Sequence, residues 1–475
     1  MYLVQISHEN EIIFRDTMLL QLDLKPESPP GEIVGDPFVD TGLLAIELMT
    51  KKPFNTCTPE DLKLAADALI DIYLTPAWRV ELYSIFPNST YIQSSRGYDH
   101  RKRSREFLYG LIDGINDTSD STTFCCYCGS SAHEDMSFYK THVPLVGSGM
   151  FINYFPSFQN GLNICARCAL AIQFSPLLWY KAGGKPCLIS SNNSAIIREF
   201  GNDAFRTIRM RLASGEYESK DNSGLFDEKF KSPQNALFHL AYKFGKNYYV
   251  RGICRPDDSI VLYHIDNYNQ NPAGIRIYSL PSNVFHFVAS VMNSPKYRSA
   301  WFALLGRHYV KTKDDEELPI WKTKRNYIHV ALLDGKSILW AFKDDKTETP
   351  TMPWAVVEGY MRSVRGMNQQ RINRIRDLSD NIAICIRESK KPRRISDIAS
   401  ARDLPSFRNQ LQLIMRDWQK LGKEEPLTTF DDYTAVLLPG DYRGWTEVRD
   451  LMVIRLYEQL HDLVAKDTEP EEVEE

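Results

Sequence analysis

Apolar residues recur along this chain in helical blocks separated by shorter strand-like runs. Tyr2 to Ile6 and Glu11 to Phe14 read as strands. Gly35-Asp36-Pro37 reads as a turn, with Asp40 or Thr41 capping a helix entered by Leu43, Leu44, Ile46 and Leu48. Thr58-Pro59-Glu60-Asp61 predicts a helix start more sharply. Thr58 fits the N-cap, Pro59 the first turn and Asp61 the third position, ahead of a broad face of Leu62, Leu64, Ala65, Leu69, Ile70 and Ile72. Farther on, Tyr248 to Ile253, Ser259 to His264 and Gly274 to Tyr278 predict strands, while Phe285 to Met292 and Ala300 to Leu305 predict helices. Ile328 to Leu333 and Lys336 to Phe342 flank Asp334-Gly335, which predicts a hairpin.

After residue 353 the pattern turns helical. Met361, Val364, Met367, Ile375, Leu378, Ile382 and Ile386 outline one helical region, and Leu411 to Trp418 a second. Glu447 to Val464 outlines a third. The expected class is α+β: a mixed N-terminal and central region with an inserted four-cysteine zinc module, followed by a C-terminal helical bundle. The expected divisions are 1–120 (α+β domain), 121–190 (zinc-binding module), 191–352 (mixed α/β region), 353–466 (helical bundle) and 467–475 (acidic disordered tail).

Composition narrows the picture modestly. A length of 475 residues, 43% hydrophobic and 25% charged, suits a folded chain of several domains. The opening MYLVQISHENEII lacks a basic leader and a cleavage site, which predicts no signal peptide. No apolar run approaches eighteen residues, so no membrane partner is expected. Nine cysteines are too few for a disulfide scaffold of this length, and four of them fall in paired short spacing.

Those four carry the clearest chemistry. Cys125-x-x-Cys128 and Cys165-x-x-Cys168, with 36 residues between, can each present two thiolates from one turn. Two such knuckles converging make a closed tetrahedral sulfur site that suits Zn2+. Gly129 favours a tight first knuckle, and Arg167 can offset thiolate charge. Cys126 competes with Cys125 for the first position, and His133 and His142 are further candidate ligands. Buried apolar cysteines, a redox pair or an iron–sulfur cluster are the alternatives on ligand type.

No phosphate loop, HExxH or GxSxG motif is present, and nothing selects an enzyme. Asp99-His100 is an isolated pair, and Asp431-Asp432 reads as a solvated pair or a helix cap.

The net charge of −4 hides basic clusters. Arg101, Lys102, Arg103 and Arg105 lie in HRKRSR, and Lys322, Lys324 and Arg325 sit beside Trp321 and Tyr327. Residues 361–420 hold 14 Lys and Arg against 6 Asp and Glu. Arg362, Arg365, Arg371, Arg374 and Arg376 recur there, followed by Lys390, Lys391, Arg393 and Arg394. Such concentrations suit a phosphate backbone, a solvated helix face being the plainer reading.

The element Gly35-Asp36-Pro37-Phe38-Val39-Asp40-Thr41-Gly42, the paired Cys125/Cys128 and Cys165/Cys168, and the basic helical C-terminus occur together. In these features the chain resembles the CXXC–CXXC large subunits of type I-B CRISPR-Cas surveillance (Cascade) complexes. The resemblance implies a non-nuclease subunit of a cytoplasmic, prokaryotic ribonucleoprotein. It implies recognition of the protospacer-adjacent motif in target double-stranded DNA, help in opening that duplex, and recruitment of a separate helicase-nuclease. The implied partners are CRISPR RNA, target duplex and displaced strand, and the backbone and small subunits. The C-terminal bundle would resemble the small subunit, with Met361 or Met367 as an internal start or as ordinary core methionines.

Overall fold

The first helix among the described residues begins one turn earlier than the sequence suggests. Asp36, not Asp40 or Thr41, is the N-cap of α1 (Pro37–Thr50), accepting hydrogen bonds from the Phe38 and Val39 amides. Pro37 occupies the first position, where its missing N–H costs nothing. The Asp40 carboxylate instead reaches back to the amides of Val34 and Gly35 at 2.7 and 3.0 Å. The expected capping box forms at α2 (Pro59–Tyr73), with Thr58 and Asp61 bonding reciprocally.

The computed structural model describes residues 34–116, 123–132, 137–146, 161–251, 255, 257–267, 274–311, 318–434 and 444–464. The strands expected at Tyr2–Ile6 and Glu11–Phe14 and the acidic tail lie outside the described residues. Two compact units form: Met1–Leu237 with Ser259–Ser279, and Phe238–Asp258 with Leu280–Glu475. The architecture is mixed α+β, with an inserted four-cysteine cluster able to chelate a metal and a helix-rich C-terminal region.

In the first unit, α1 and α2 are joined by α3 (Pro76–Ile85) and α4 (His100–Asp113). Short pairs follow: β1 (Thr123–Phe124) with β2 (Ser131–Ala132), and β3 (Ser137–Phe138) with β4 (Leu162–Asn163), both antiparallel. Then come α5 (Ala166–Phe174), β5 (Tyr180–Ala182), β6 (Lys185–Ser191), α6 (Ser194–Ala213), β7 (Phe226–Phe230), α7 (Pro233–Arg251), whose residues from Phe238 onward belong to the second unit, and then β8 (Ile260–Asp266) and β9 (Gly274–Leu280). The five-stranded sheet runs β7-β5-β6-β8-β9. β5 pairs antiparallel with β6 and parallel with β7, and β6 pairs antiparallel with β8. Trp78, Trp179, Tyr73, Tyr91 and Tyr180 are fully buried in this unit's core.

Two strand expectations fail here, for identifiable reasons. Tyr248 to Arg251 are the last turn of α7, while residues 252 and 253 lie outside the described residues. The aromatic and β-branched run favours a strand locally, but Ala236, Leu237, Leu240, Ala241 and Phe244 bury a helical stripe that carries the helix onward. Ile328 to Leu333 likewise fall in a helix, and Leu339–Ala341 form a 3-10 turn. Asp334-Gly335 ends that helix rather than turning a hairpin. Gly335 takes φ 67°, and its amide and that of Lys336 bond back to Leu332 and Ala331.

The second unit continues with α8 (Ser282–Asn293), α9 (Pro295–Arg307), α10 (Ile320–Thr323) and α11 (Tyr327–Leu333). After the short pair β10 (Lys343–Asp344) and β11 (Thr349–Pro350), it is helical: α12 (Trp354–Ser363), α13 (Gln369–Ser389), α14 (Arg393–Ala399), α15 (Leu404–Lys420), α16 (Phe430–Asp432), α17 (Trp445–Gln459) and α18 (His461–Val464). The first expected C-terminal helix is two, separated at Gly366 with φ 67°. α17 buries Val448, Leu451, Met452, Val453, Ile454, Leu456 and Tyr457 around most of its circumference, as a central bundle helix does. Among the described residues no helix is long and apolar enough to cross a membrane.

Candidate metal centre and basic surfaces

Each cysteine pair is positioned by a different local structure. The first pair sits in the turn between β1 and β2: the Cys125 amide donates to the Ser130 carbonyl (2.7 Å) and the Gly129 amide to the Cys125 carbonyl (2.9 Å). Gly129 adopts φ 72°, a conformation that a side chain would strain. The second pair opens a helix. Cys165 is the N-cap of α5 and Cys168 lies in its first turn, so both sulfurs sit where unpaired amides and the helix dipole favour negative charge.

The sulfurs of Cys125, Cys128, Cys165 and Cys168 all lie within 4.8 Å of one another, and Cys128 and Cys165 approach to 3.5 Å. A tetrahedral thiolate site with metal–sulfur bonds near 2.3 Å needs sulfurs roughly 3.8 Å apart. The four residues therefore fit one metal ion, with all four positions filled by sulfur. Cys125 and Cys168 are buried and Cys128 and Cys165 half-buried. Without a cation the cluster cannot hold four negative charges. Hydrogen bonds from Cys165 and Cys168 hold the Cys125 thiol far below its usual range. Sharing with Cys125 pushes Cys165 up to about 12, and Cys168 is raised by the same contacts.

This geometry separates the alternatives left by the sequence. Cys126 is exposed and is not among the clustered cysteines; partial desolvation of its sulfur and the neighbouring Cys125 charge raise its thiol to about 11. His142 is likewise not among the clustered ligands. It packs between Phe107 and Phe138, and burial lowers it to about 4. His133 lies outside the described residues. Arg167 places its guanidinium 5.4 Å from the Phe54 ring, and its charge opposes the rise that burial imposes on Asp40.

The role of Gly42 was not visible in the sequence. A Cβ there would lie 1.8 Å from the Ala171 carbonyl oxygen, so α1 crosses α5 at backbone contact. The far end of α5 is fixed by Gln173, whose carbonyl accepts from Tyr73 Oη (2.7 Å) and whose amide donates to the His142 carbonyl (2.7 Å). The Gly35–Gly42 element is thus a helix start and a close crossing that set the helix bearing the second cysteine pair. Two small or turn-forming residues seven apart at a helix entrance were the available signal.

Residues 118–180 match a family described as CRISPR-associated protein (Cas_CXXC_CXXC). This chain carries a CRISPR-associated domain. The match spans both cysteine pairs and α5 but a small part of the whole chain. No curated protein and no solved structure is detectably similar to it.

The basic clusters divide when their partners are traced. On α4, Arg101 pairs with Asp71 (2.5 Å), Arg103 with Glu106 (3.2 Å) and Arg105 with Asp67 (2.8 Å). Lys102 has no ion-pair partner among the described residues. Asp99 is the N-cap of α4, accepting from the Lys102 amide, and the His100 ring bonds the Thr90 carbonyl. Lys322 lies 5.0 Å from the Trp321 ring centroid, while Arg325 and Tyr327 are exposed; Lys324 is half-buried.

In the bundle, Arg365 pairs with Glu447 (2.7 Å) and Arg374 with Asp432 (3.2 Å). Lys391 and Arg394 converge on Asp417 at 2.5 and 2.9 Å, where the Asp417 side chain is only 5% exposed. Burial opposes that charge, but the two cations outweigh it and lower Asp417 below its usual range. Arg376 and Arg393 meet carboxylates only at 3.6 and 3.8 Å, and Arg371 is half-buried. Arg362 and Lys390 are exposed without an ion-pair partner among the described residues. Asp432 serves both as partner of Arg374 and, through Thr429, at the start of α16.

Proposed function

We propose that this chain is the large subunit of a type I CRISPR RNA-guided surveillance complex, with Zn2+ held by Cys125, Cys128, Cys165 and Cys168. It recognises the protospacer-adjacent motif in target duplex DNA, assists duplex opening and recruits the helicase-nuclease. It acts in the prokaryotic cytoplasm, beside CRISPR RNA and the backbone and small subunits, without catalysing a reaction itself. The observation that carries the reading is the convergence of four sulfurs within the segment that matches a CRISPR-associated family. A closed sulfur shell leaves no open coordination position for substrate, so the ion's contribution is to the fold. Sequence specificity would come mostly from guide-RNA pairing, leaving protein contacts to a short flank. Exposed Lys102, Arg325, Arg362, Lys390 and Arg393 are the cations best placed for phosphate, together with Lys322, Lys324, Arg371 and Arg376.

A second reading is a zinc-stabilised interaction subunit without direct DNA recognition. It is favoured by the carboxylate partners of Arg101, Arg103, Arg105, Arg365, Arg374, Lys391 and Arg394, which hold much of the basic sequence in internal pairs. Binding of the reconstituted guide-RNA complex, with and without this chain, to duplexes with a randomised flank separates the two. Chain-dependent enrichment of a short motif supports the first reading. Equal binding without enrichment, in an intact complex, leaves the second.

A further inference from the structure

The helix α15 carries cations that no carboxylate answers among the described residues. Its one internal acid, Asp417, is turned inward to Lys391 and Arg394, and Asp403 before it is spent as the N-cap on the Ser406 amide. Phe407, Leu411, Ile414 and Trp418 bury the opposite side. The remaining stripe reads Arg408, Asn409, Gln412, Arg416, Gln419 and Lys420, exposed except for half-buried Arg408. At 100° per residue these six lie within about a third of the helix circumference. Arg408, Arg416 and Lys420 have no ion-pair partner among the described residues, and Arg408 Nε is shielded from solvent without an acceptor. Glu424 and Glu425 lie beyond the helix end.

We propose that this stripe is a docking surface for the phosphate backbone of double-helical DNA. The inference rests on the nucleic-acid-binding reading above and assigns it a surface outside the residues named there. Positions 408, 412, 416 and 420 recur every four residues, advancing about 6 Å per step, so cations and an amide donor form a row suited to successive phosphates. The guanidinium groups can bond phosphate oxygens in pairs, and the amides of Asn409, Gln412 and Gln419 add neutral donors. No aromatic side chain stands in the stripe. A single strand with unpaired bases usually needs such stacking partners, so a strand whose bases are already paired fits better.

The test uses the full chain and fluorescence-anisotropy titrations with a 30-base-pair duplex, the corresponding single strand, and polyglutamate as a protein-like polyanion. Arg408→Gln/Arg416→Gln/Lys420→Gln should weaken duplex binding roughly ten- to hundredfold and flatten the log affinity–log salt slope by about 2 to 3. Arg408→Lys/Arg416→Lys, which keeps the charge, should restore most of that slope, and circular dichroism should confirm an intact bundle in both variants. Duplex affinity and slope unchanged in the triple variant would overturn the proposal while leaving the broader reading standing. Loss confined to the single strand or to polyglutamate would overturn it too. A wild-type chain that binds no duplex at all would remove both.

Discussion

The cysteine cluster and the basic bundle teach opposite lessons about what a residue pattern commits a chain to. Four cysteines spaced in two pairs converge within 4.8 Å, because a thiol in a knuckle has few better uses than its neighbours' ligand shell. Cations are less committed. Lys391 and Arg394 close on a buried carboxylate of their own unit, while Arg408, Arg416 and Lys420 stay open. Ligand spacing therefore defined a site directly, whereas charge density defined only a set of candidates that the ion pairs then divided.

The largest expected effect comes from the cluster. Structural zinc sites contribute on the order of 10 kcal/mol to folding. Cys165→Ser should release the metal and unfold the module around β1, β2 and the start of α5, while Cys126→Ser should leave the metal content at one ion per chain. Metal analysis with hydrogen exchange across residues 123–180 checks both. Full metal content and unchanged protection in Cys165→Ser would break the assignment of a folding role.

Next comes the buried acid of the bundle. Asp417→Asn leaves Lys391 and Arg394 facing a neutral group. The Asp417 side chain is 5% exposed but Lys391 is 43% exposed and can turn to solvent, so the cost falls below that of a fully buried pair, at about 2–3 kcal/mol. The partner positions sharpen the comparison. Arg103→Ala, which removes a pair exposed at both ends, should cost no more than about 0.5 kcal/mol. Urea denaturation of the two variants, read at a common temperature, should separate them clearly. Equal midpoints would mean that burial does not distinguish internal from surface pairs in this protein.

Much of the helical framework and the metal ligands were legible beforehand, and the misses have physical causes. Thr58, Pro59 and Asp61 specify a helix start through short-range bonds, so the sequence contains all the participants. Asp334-Gly335 is equally suited to a hairpin and to a helix end; only the burial of Ile328, Ala331 and Leu332 on one side selects the helix. Tyr248 to Arg251 end a helix stabilised by residues up to a dozen positions earlier, which local propensity does not register. At the site, Cys125 and Cys126 differ by one position, and the pairing of β1 with β2 decides which of them joins the cluster. The fate of each bundle arginine depends on carboxylates up to 82 residues away, as for Arg365 and Glu447, and no local pattern encodes that.

A smaller effect tests whether the Gly35–Gly42 element serves the cluster. The Cβ of Gly42→Ala would meet backbone, not a flexible side chain, so α1 and α5 must separate. Overpacking of this kind costs about 1–3 kcal/mol. Because α5 begins at the second cysteine pair, the same substitution should also weaken metal retention against a competing chelator. Gly359→Ala, with open space at its Cβ, is the control in the other unit. A loss of stability in Gly42→Ala without faster metal release would mean the crossing supports the core and not the metal centre.

The effect that is smallest near neutral pH, and grows on acidification, is a pH dependence in the bundle-bearing unit. His329 is buried, its ring stacked on Phe238 at 4.2 Å and bonded to Tyr242 Oη at 2.7 Å; burial lowers it to about 3. A histidine whose folded value lies below its unfolded value of about 6.5 resists protonation in the native state, so the unfolded chain takes up the proton first. Its contribution is fully present above pH 6.5 and is lost as the pH falls toward 3, by up to about 1.4 kcal/mol per pH unit. His329→Phe keeps the stack and removes the titration. It should be less stable than the native protein at pH 7.5, where the bond to Tyr242 is lost, yet fall less steeply between pH 6.5 and 4.5. Carboxylates elsewhere titrate in both proteins, so the difference between the two curves isolates the histidine. Parallel curves would mean that His329 is protonated within the fold, with its Nε2–H donating a hydrogen bond to Tyr242 Oη.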